Sequence, residues 1–265
     1  MESGLLHPLV IASESRKLIR SLHRRKGREA HGLFLVEGLR GVAACLDARR
    51  PWHLAVVSPS LGRTPAGVAL AARLRAAGRV LDTDDRELAR LADTETPQGV
   101  LLAARWEPAR LEAWSPPAEA VVVVLDGIQD PGNVGTLVRA AHALGAFAVV
   151  ALPGTADPWS PKAVRAAAGA IVHVPVAAAG WEETRDWLRR HGFGVWGAGA
   201  EGEPLLRGSP RPPRTALVLG NEGAGLSDVA RAACDRIVSV PIVAAAESLN
   251  AAVAGAILLD RWRDA

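Results

Sequence analysis

The sequence predicts an α/β protein with two unequal domains: a smaller α/β/α sandwich, followed by a mostly parallel sheet flanked by helices. Short apolar runs typical of buried strands alternate with helical stretches along the 265 residues. The stretch EPARLEAWSPPA interrupts this alternation and contains two adjacent prolines, which favours a linker. The expected divisions are therefore a first domain at 1–107, a linker at 108–118 and a second domain at 119–265.

The first domain is expected to open with a basic helix. Ser13 is a candidate cap for this helix, which should run to about Lys26 and stop at Gly27. The elements expected next are strand GLFLVEG, helix LRGVAACLDAR, strand HLAVVS, helix TPAGVALAARLRAAG, strand RVLDT, helix DDRELARLA and strand QGVLLAA. This strand and helix alternation predicts the sandwich.

The second domain is expected to open with AVVVVLDG, a continuous apolar run typical of a strand buried on both faces. Asn133 is a good cap for the helix NVGTLVRAAHALG that follows. The elements expected next are strand FAVVAL, helix PKAVRAAAGA, strand IVHVPV, helix WEETRDWLRRHG, strands FGVWGA and TALVLG, helix DVARAAC, strand RIVSV and helix SLNAAVAGAILLDRW. The turns NEGAGLS and PIVAAAE each follow a strand, so both should lie at the carboxyl edge of the sheet, where parallel sheets bind ligands.

Composition excludes several classes of protein. A hydrophobic fraction of 49% is enough for a packed core, and no apolar stretch approaches the roughly 20 residues of a membrane helix. Cys45 and Cys234 lack metal-ligand spacing, and the chain opens without a leader pattern, so we expect a cytoplasmic protein with no metal and no membrane partner.

Charge is distributed unevenly along the chain. Residues 1–108 carry 17 basic and 12 acidic side chains, whereas residues 109–265 carry 14 basic and 16 acidic ones. A polyanion should therefore bind the first domain. The candidate polyanion-binding residues lie in and just after the first helix: Arg16, Lys17, Arg20, Arg24, Arg25, Lys26 and Arg28. The alternative for this run is an ordinary solvated helix face, but its density of basic residues favours phosphate contact.

Three segments carry a resemblance to a known family. LDGIQDPGNVGTLVRAAHALGA, LVLGNEGAGLS and VPIVAAAESLN occur in the order of the three signature motifs of the TrmH/SpoU branch of the SPOUT RNA ribose 2′-O-methyltransferases. The resemblance implies a SPOUT-type α/β knot, in which a parallel sheet ends in a carboxy-terminal trefoil knot. It also implies S-adenosylmethionine as methyl donor, an RNA rather than DNA substrate, and a homodimer formed through the catalytic domain. REAHGLFLVEG after a basic helix resembles the family's amino-terminal substrate-binding domain.

The motif resemblance also implies roles for individual residues. The implied catalytic group is Asn133, Arg139, Glu222, Ser248 and Asn250. The implied donor-binding group is Leu219, Gly220, Asn221, Gly223, Val240, Ile242 and Leu249, with Leu219 and Ile242 lining the adenine pocket. Each polar residue also has an ordinary structural alternative: helix caps for Asn133, Ser248 and Asn250, turn residues for Asn221 and Glu222, and a solvated side chain for Arg139.

One position departs from the family's pattern. Ala244 stands where the second turn normally has glycine, which could strain the donor loop. The resemblance implies 2′-O-methylation of a ribose in structured RNA, with large-subunit ribosomal RNA favoured by the extra amino-terminal domain. The alternatives are transfer RNA as substrate, or a non-catalytic RNA-binding factor that keeps the fold. A Rossmann dehydrogenase is excluded because GNEGAG lacks the G-x-G-x-x-G order and follows a late strand.

Overall fold

The computed structural model describes residues 11–243 and 248–262. These ranges contain ten α-helices and ten β-strands. The elements up to the middle of the chain are α1 Ser13–Leu22, α2 Arg25–His31, β1 Leu33–Glu37, α3 Leu39–Asp47, β2 Trp52–Val57, α4 Pro65–Ala77, β3 Val80–Asp82, α5 Asp85–Leu91, β4 Val100–Arg105 and β5 Ala120–Asp126. The elements that follow are α6 Pro131–Ala143, β6 Ala148–Ala151, α7 Pro161–Ala166, β7 Val176–Ala178, α8 Trp181–Arg190, β8 Gly194–Pro204, β9 Arg214–Gly220, α9 Asp228–Ala232, β10 Arg236–Ser239 and α10 Ala251–Arg261.

The first of two compact units consists of the described residues up to Glu107 together with Trp159–Val172. Its sheet has the strand order β1-β4-β2-β3, in which β4 is antiparallel to β1 and β2. Trp159 packs edge-on against Phe34 with a centroid distance of 4.9 Å. The segment 159–172 therefore belongs to the first unit, although it lies within the second domain expected from the sequence.

The start of the chain folds differently from the expected single helix. Two helices form instead, α1 and α2, and Gly27 lies inside α2 rather than ending a helix. A Cβ atom at Gly27 would overlap the backbone carbonyl of Ser21, so the absence of a side chain lets α2 cross close to the end of α1. The cap of α1 is Ala12, and Ser13 is its first helical residue, so the predicted cap was wrong.

The second unit consists of Pro108–Pro158 and the described residues from His173 onward. Its six strands follow the order β10-β8-β9-β5-β6-β7, and every neighbouring pair is parallel. The predicted α/β class with a helix-flanked parallel sheet is confirmed, while the trefoil knot stays a prediction. Val122, Val124, Ala216 and Val218 lie in a core cluster of this sheet and are fully buried.

The strand predicted at IVHVPV begins later than expected. Ala170–Val172 forms a 3₁₀ helix in the first unit, and β7 starts at Val176, where it pairs with Val149 of β6. Pairing with β6 therefore decides where this strand begins. The sequence IVHVPV by itself does not distinguish a strand that begins at its first residue from one that begins at its last. Within residues 11–243 and 248–262, no helix is long and apolar enough to cross a bilayer.

Candidate active site

The loop after β9 is closed by its own backbone. The N–H of Asn221 donates to the carbonyl of Gly225 (2.8 Å), and the N–H of Gly225 donates to the carbonyl of Asn221 (3.0 Å). A Cβ atom at Gly220 would overlap the backbone of Gly225, and Gly225 itself has a φ of 72°. Both glycines are needed for the loop to fold back tightly at the carboxyl edge of the sheet.

The same loop is held to the end of β5 by side-chain hydrogen bonds. Asn221 donates through Nδ2 to the carbonyl of Gly127 (2.9 Å). Asp126, buried at the end of β5, accepts from the backbone N–H of Ser227 at 2.7 Å. These two contacts fix both ends of the loop, so the backbone that lines the neighbouring cavity has a defined position.

A chain of hydrogen bonds joins the three predicted motifs. Asn133 donates through Nδ2 to Oε1 of Glu222 (2.8 Å), and Asn250 donates through Nδ2 to Oδ1 of Asn133 (3.0 Å). The backbone N–H of Gln129 lies 3.4 Å from the second carboxylate oxygen of Glu222. The structure therefore brings together Asn133, Glu222 and Asn250, three of the five predicted catalytic residues.

The helix caps explain how two of these side chains are positioned. Asp130 caps α6 by accepting from the N–H of Gly132 at 2.9 Å, so the prediction that Asn133 is the cap was wrong. Asn133 instead lies in the first helical turn, where its amide is free to contact Glu222. Asn250 caps α10 through Oδ1, which leaves its Nδ2 to contact Asn133.

The environment of Glu222 favours its ionised form. Burial, the largest single influence, raises the pKa of Glu222, but hydrogen bonds from Asn133 and from backbone N–H groups together hold it below its usual value. The carboxylate therefore presents a negative charge at neutral pH beside two amide side chains.

A mostly apolar cavity of about 180 Å³ lies beside this chain of hydrogen bonds. Its lining includes six of the seven predicted donor-binding residues and two of the predicted catalytic residues: Leu219, Gly220, Asn221, Val240, Ile242 and Leu249, with Glu222 and Ser248. Gly223 is outside the lining, although its N–H donates to Oδ1 of Asn221 at 2.9 Å. Two loops that are separate in sequence therefore enclose one cavity.

Arg139 is not part of this cluster. It lies on α6 six residues after Asn133, and this spacing places the two side chains on different faces of the helix. Arg139 is exposed, and no ion pair or hydrogen bond joins its side chain to another residue of the described ranges. Ala244 lies outside the described residues, so its effect on the donor loop stays a prediction.

Sequence reasoning missed one wall of the cavity. Ala198, Gly199 and Ala200 of β8 line it, together with Ser239 at the end of β10. The pairing of β10 with β8 brings these residues beside the loop after β9. Small residues in a strand carry no chemical signature, and only the strand order could have identified them.

The predicted RNA-binding residues divide into three groups. Arg28 is buried and donates through Nη1 to the carbonyl of Leu22 at 2.9 Å, so the prediction that it is available to RNA was wrong. Arg16 pairs with Glu87 at 2.6 Å, and Arg25 pairs with Glu29 at 2.8 Å. The other four line a second cavity, in the first unit: Lys17, Arg20, Arg24 and Lys26.

Comparison with known proteins gives a consistent result for both parts of the chain. Residues 120–260 match the SpoU rRNA Methylase family, and residues 15–102 match the MRM3-like substrate binding domain. The chain is 31% identical over 244 residues to 23S rRNA (guanosine(2553)-2′-O)-methyltransferase RlmP of Bacillus subtilis, covering 92% of this chain and 94% of RlmP.

Solved structures extend this comparison. An AdoMet-bound rRNA methyltransferase from Sinorhizobium meliloti is 29% identical, with a TM-score of 0.83, and the match covers 96% of this chain and 95% of that one. The SpoU methyltransferase AviRb from Streptomyces viridochromogenes, in complex with AdoMet, is 25% identical with a TM-score of 0.82, over 95% of this chain and 97% of that one.

The fold is that of solved methyltransferases that bind S-adenosylmethionine. The chain belongs to the SpoU rRNA methylase family. This membership confirms the prediction of an S-adenosylmethionine-dependent RNA 2′-O-methyltransferase with an amino-terminal substrate-binding domain.

Proposed function

We propose that this protein methylates the 2′-hydroxyl of a ribose in large-subunit ribosomal RNA. The observation that supports this most is the hydrogen-bonded chain of Glu222, Asn133 and Asn250 beside an apolar cavity. A reaction between a sulfonium cation and a developing alkoxide loses charge toward the transition state, so a cavity that excludes water favours it. The polar chain lies beside this cavity, and its proposed role is to align the hydroxyl.

The cavity residues fit S-adenosylmethionine. Apolar side chains suited to an adenine ring come from Leu219, Ile242 and Leu249, and the backbone around Gly220 allows close approach of a ligand. When bound, the donor supplies an already activated methyl group. The task of the protein is therefore mainly to orient the acceptor and exclude water.

The predicted catalytic residues have two different roles in this task, one of positioning and one of charge stabilisation. The ionised carboxylate of Glu222 fixes Asn133, and the amides of Asn133 and Asn250 hold the polar edge of the cavity in one arrangement. Arg139 is proposed to orient the acceptor and to stabilise negative charge that develops on its oxygen. This role is electrostatic rather than that of a general base, because a guanidinium offers only hydrogen-bond donors and no acceptor for a proton.

The choice of ribosomal RNA is supported by the amino-terminal unit and by the relatives. The B. subtilis relative that is similar over nearly its whole length is named as a 23S rRNA methyltransferase. Another relative, from Mycolicibacterium smegmatis, is 32% identical over 263 residues and is named only as a tRNA/rRNA methyltransferase. Transfer RNA is therefore the alternative substrate that an experiment has to exclude.

A homodimer through the catalytic domain is part of the proposal. Four apolar side chains near the cavity are exposed: Ile242, Val243, Leu249 and Val253. Arg139 also faces solvent, on a helix face different from that of Asn133. A second copy that covers these residues would remove apolar surface from water. Analytical ultracentrifugation tests this, and a monomer at micromolar concentration would contradict it.

Transfer of a labelled methyl group tests the function directly. The purified protein is incubated with labelled S-adenosylmethionine and either 23S ribosomal RNA or total transfer RNA, and ribose methylation is then mapped. We expect label in the ribosomal RNA at one ribose 2′-oxygen. Glu222→Ala should reduce transfer, whereas Glu183→Gln, at an exposed position of α8, is the surface control.

Other outcomes discriminate between the alternatives. Methylation of transfer RNA alone would show that transfer RNA is the substrate, and the proposed reaction would stay the same. Absence of transfer together with absence of donor binding in calorimetry would refute the enzyme and favour a non-catalytic RNA-binding factor.

A further inference from the structure

We propose that Thr155, in the loop after β6, is a positioning residue that holds the loop after β9 for donor binding by acting through the backbone of Gly127. Thr155 is half-buried, belongs to none of the three motifs and does not line the cavity. That the loop after β9 binds S-adenosylmethionine rests on the proposed function.

The strand that precedes Thr155 is a neighbour of β5 in the sheet. Strands β9, β5 and β6 are adjacent and parallel, so the loops after them leave the same edge of the sheet. Leu125 of β5 pairs with Ala151 of β6 on one side and with Leu219 of β9 on the other. The three strands therefore end at nearly the same level, and the segment after β5 has a loop on each side.

The hydroxyl of Thr155 makes two hydrogen bonds to the backbone at the end of β5. It donates to the carbonyl of Leu125 at 2.8 Å and accepts from the N–H of Gly127 at 3.0 Å. The backbone of the same loop adds a further contact, from the N–H of Ala156 to the carbonyl of Ile128 at 2.8 Å. Because a hydroxyl donates and accepts at once, one side chain holds two successive turns of the backbone.

Gly127 is held from both sides. Its N–H donates to Thr155, and its carbonyl accepts from Nδ2 of Asn221 at 2.9 Å. Its φ of 72° lies in the left-handed region, which glycine adopts without strain. Since glycine restricts its own backbone least of all residues, the hydrogen bond from its N–H to Thr155 is what fixes the direction in which its carbonyl points.

Asn221 connects this constraint to the cavity, which it lines. Its Oδ1 accepts from the N–H groups of Gly223 and Ala224, both at 2.9 Å. If Nδ2 of Asn221 lost its acceptor, the side-chain amide could rotate and release both N–H groups. The hydroxyl of Thr155 therefore acts on the wall of the cavity through two intervening residues, without contacting a ligand.

Donor affinity tests the proposal on the whole chain. Thr155→Val keeps the branching of the side chain and removes the hydroxyl, whereas Thr155→Ser keeps the hydroxyl. Calorimetry with S-adenosylmethionine should give an about 5- to 10-fold higher Kd for Thr155→Val, the effect of a lost hydrogen bond whose partner stays unsatisfied. Thr155→Ser should bind within about twofold of the native Kd, because its hydroxyl reaches the same two groups.

Thr215→Val is the matched control. Thr215 lies at the opposite end of β9, and its hydroxyl also donates to a backbone carbonyl, that of Pro212, at 2.7 Å. The substitution removes a comparable hydrogen bond from the same sheet at a residue that does not line the cavity. Its Kd should be that of the native protein. Equal Kd values for Thr155→Val and Thr215→Val, or a Kd for Thr155→Ser as high as that of Thr155→Val, would overturn the proposal.

Combination with Asn221→Ala tests the route through Gly127. If Thr155 acts on the donor through Gly127 and Asn221, adding Thr155→Val to Asn221→Ala should raise the Kd by less than about twofold. A rise as large as that in the native background would show that Thr155 acts by another route, and the proposal would fail.

Hydrogen exchange separates this proposal from the proposed function, because it needs no ligand. Mass spectrometry should show faster amide exchange at residues 221–225, whose backbone hydrogen bonds close the loop, in Thr155→Val than in native protein or Thr215→Val. If this difference is seen while the native protein fails to bind S-adenosylmethionine, the positioning role stands and the methyltransferase proposal fails. Native exchange rates in Thr155→Val would overturn the positioning role, whatever the donor affinity.

Discussion

The side-chain amide of Asn133 donates to the carboxylate of Glu222 at 2.8 Å and so joins two segments that are 89 residues apart in sequence. One residue is in the first turn of α6, and the other is in the loop after β9. Because Asn250 donates to the same Asn133, this single amide connects all three motifs. Its substitution should therefore affect the site more than its half-buried position indicates.

Asn133→Asp tests this connection. A carboxylate in place of the amide would face Glu222 and replace a hydrogen bond by repulsion between like charges. Loss of a hydrogen bond to a charged group corresponds to a roughly 10- to 100-fold fall in kcat. Single-turnover methyl transfer to 23S ribosomal RNA measures the effect. Asn133→Asp with native turnover would show that the hydrogen bond has no role in the reaction.

The lowered pKa of Glu222 predicts a specific pH dependence of stability. Since its folded pKa lies below the unfolded value of about 4.3, the unfolded state binds more protons in this range, and stability rises with pH. The contribution of Glu222 is present above about pH 4.3 and is lost as the pH falls through the folded pKa.

Melting temperatures are measured between pH 3 and pH 6, a range of about one to two units around the unfolded pKa of about 4.3. As the pH falls through this range, the melting temperature of the native protein should decrease more steeply than that of Glu222→Gln. The pKa of Asp85 is also lowered, most strongly by a hydrogen bond from Ser58. Asp85 is present in both proteins, so its contribution to the pH dependence is the same in both. Parallel melting curves would contradict the assigned ionisation of Glu222.

Asp126→Ala should weaken donor binding, although Asp126 does not line the cavity. The carboxylate accepts from the N–H of Ser227 at 2.7 Å, and Asp126 is 8% exposed. Without it, that N–H loses its partner and one end of the loop after β9 is released. We expect a roughly tenfold higher Kd for S-adenosylmethionine by calorimetry, the size typical of a lost hydrogen bond to a charged group. Glu183→Gln should leave the Kd unchanged.

Gly220→Ala should distort the same loop by steric overlap. The added Cβ atom would meet the backbone of Gly225, which cannot move without breaking the two hydrogen bonds between Asn221 and Gly225. The expected loss of stability is about 1–3 kcal/mol, together with weaker donor binding. Gly180→Ala is the matched control, because a Cβ atom at Gly180 meets no atom within 4 Å. Equal denaturation midpoints for the two variants would contradict the steric argument.

Much of the fold could be predicted because short stretches of sequence indicate its strands and the loops that follow them. The run AVVVVLD is β5, and the loops expected at the carboxyl edge of the sheet enclose one cavity. The boundaries of α1 and α2 could not be predicted in this way. A basic stretch that reads as one helix is divided at Arg24, because tertiary packing of Gly27 against Ser21 outweighs helix propensity.

The sequence by itself determined the α/β class, the polar residues of the three motifs and the position of the basic surplus, because side-chain chemistry and hydrophobic periodicity are written directly in it. The tertiary structure decided which of those residues meet. Asn133 contacts Glu222, Arg28 is withdrawn into the interior, and small residues of β8 form a cavity wall. These outcomes depend on strand order and helix crossing, which arise from contacts between residues far apart in sequence.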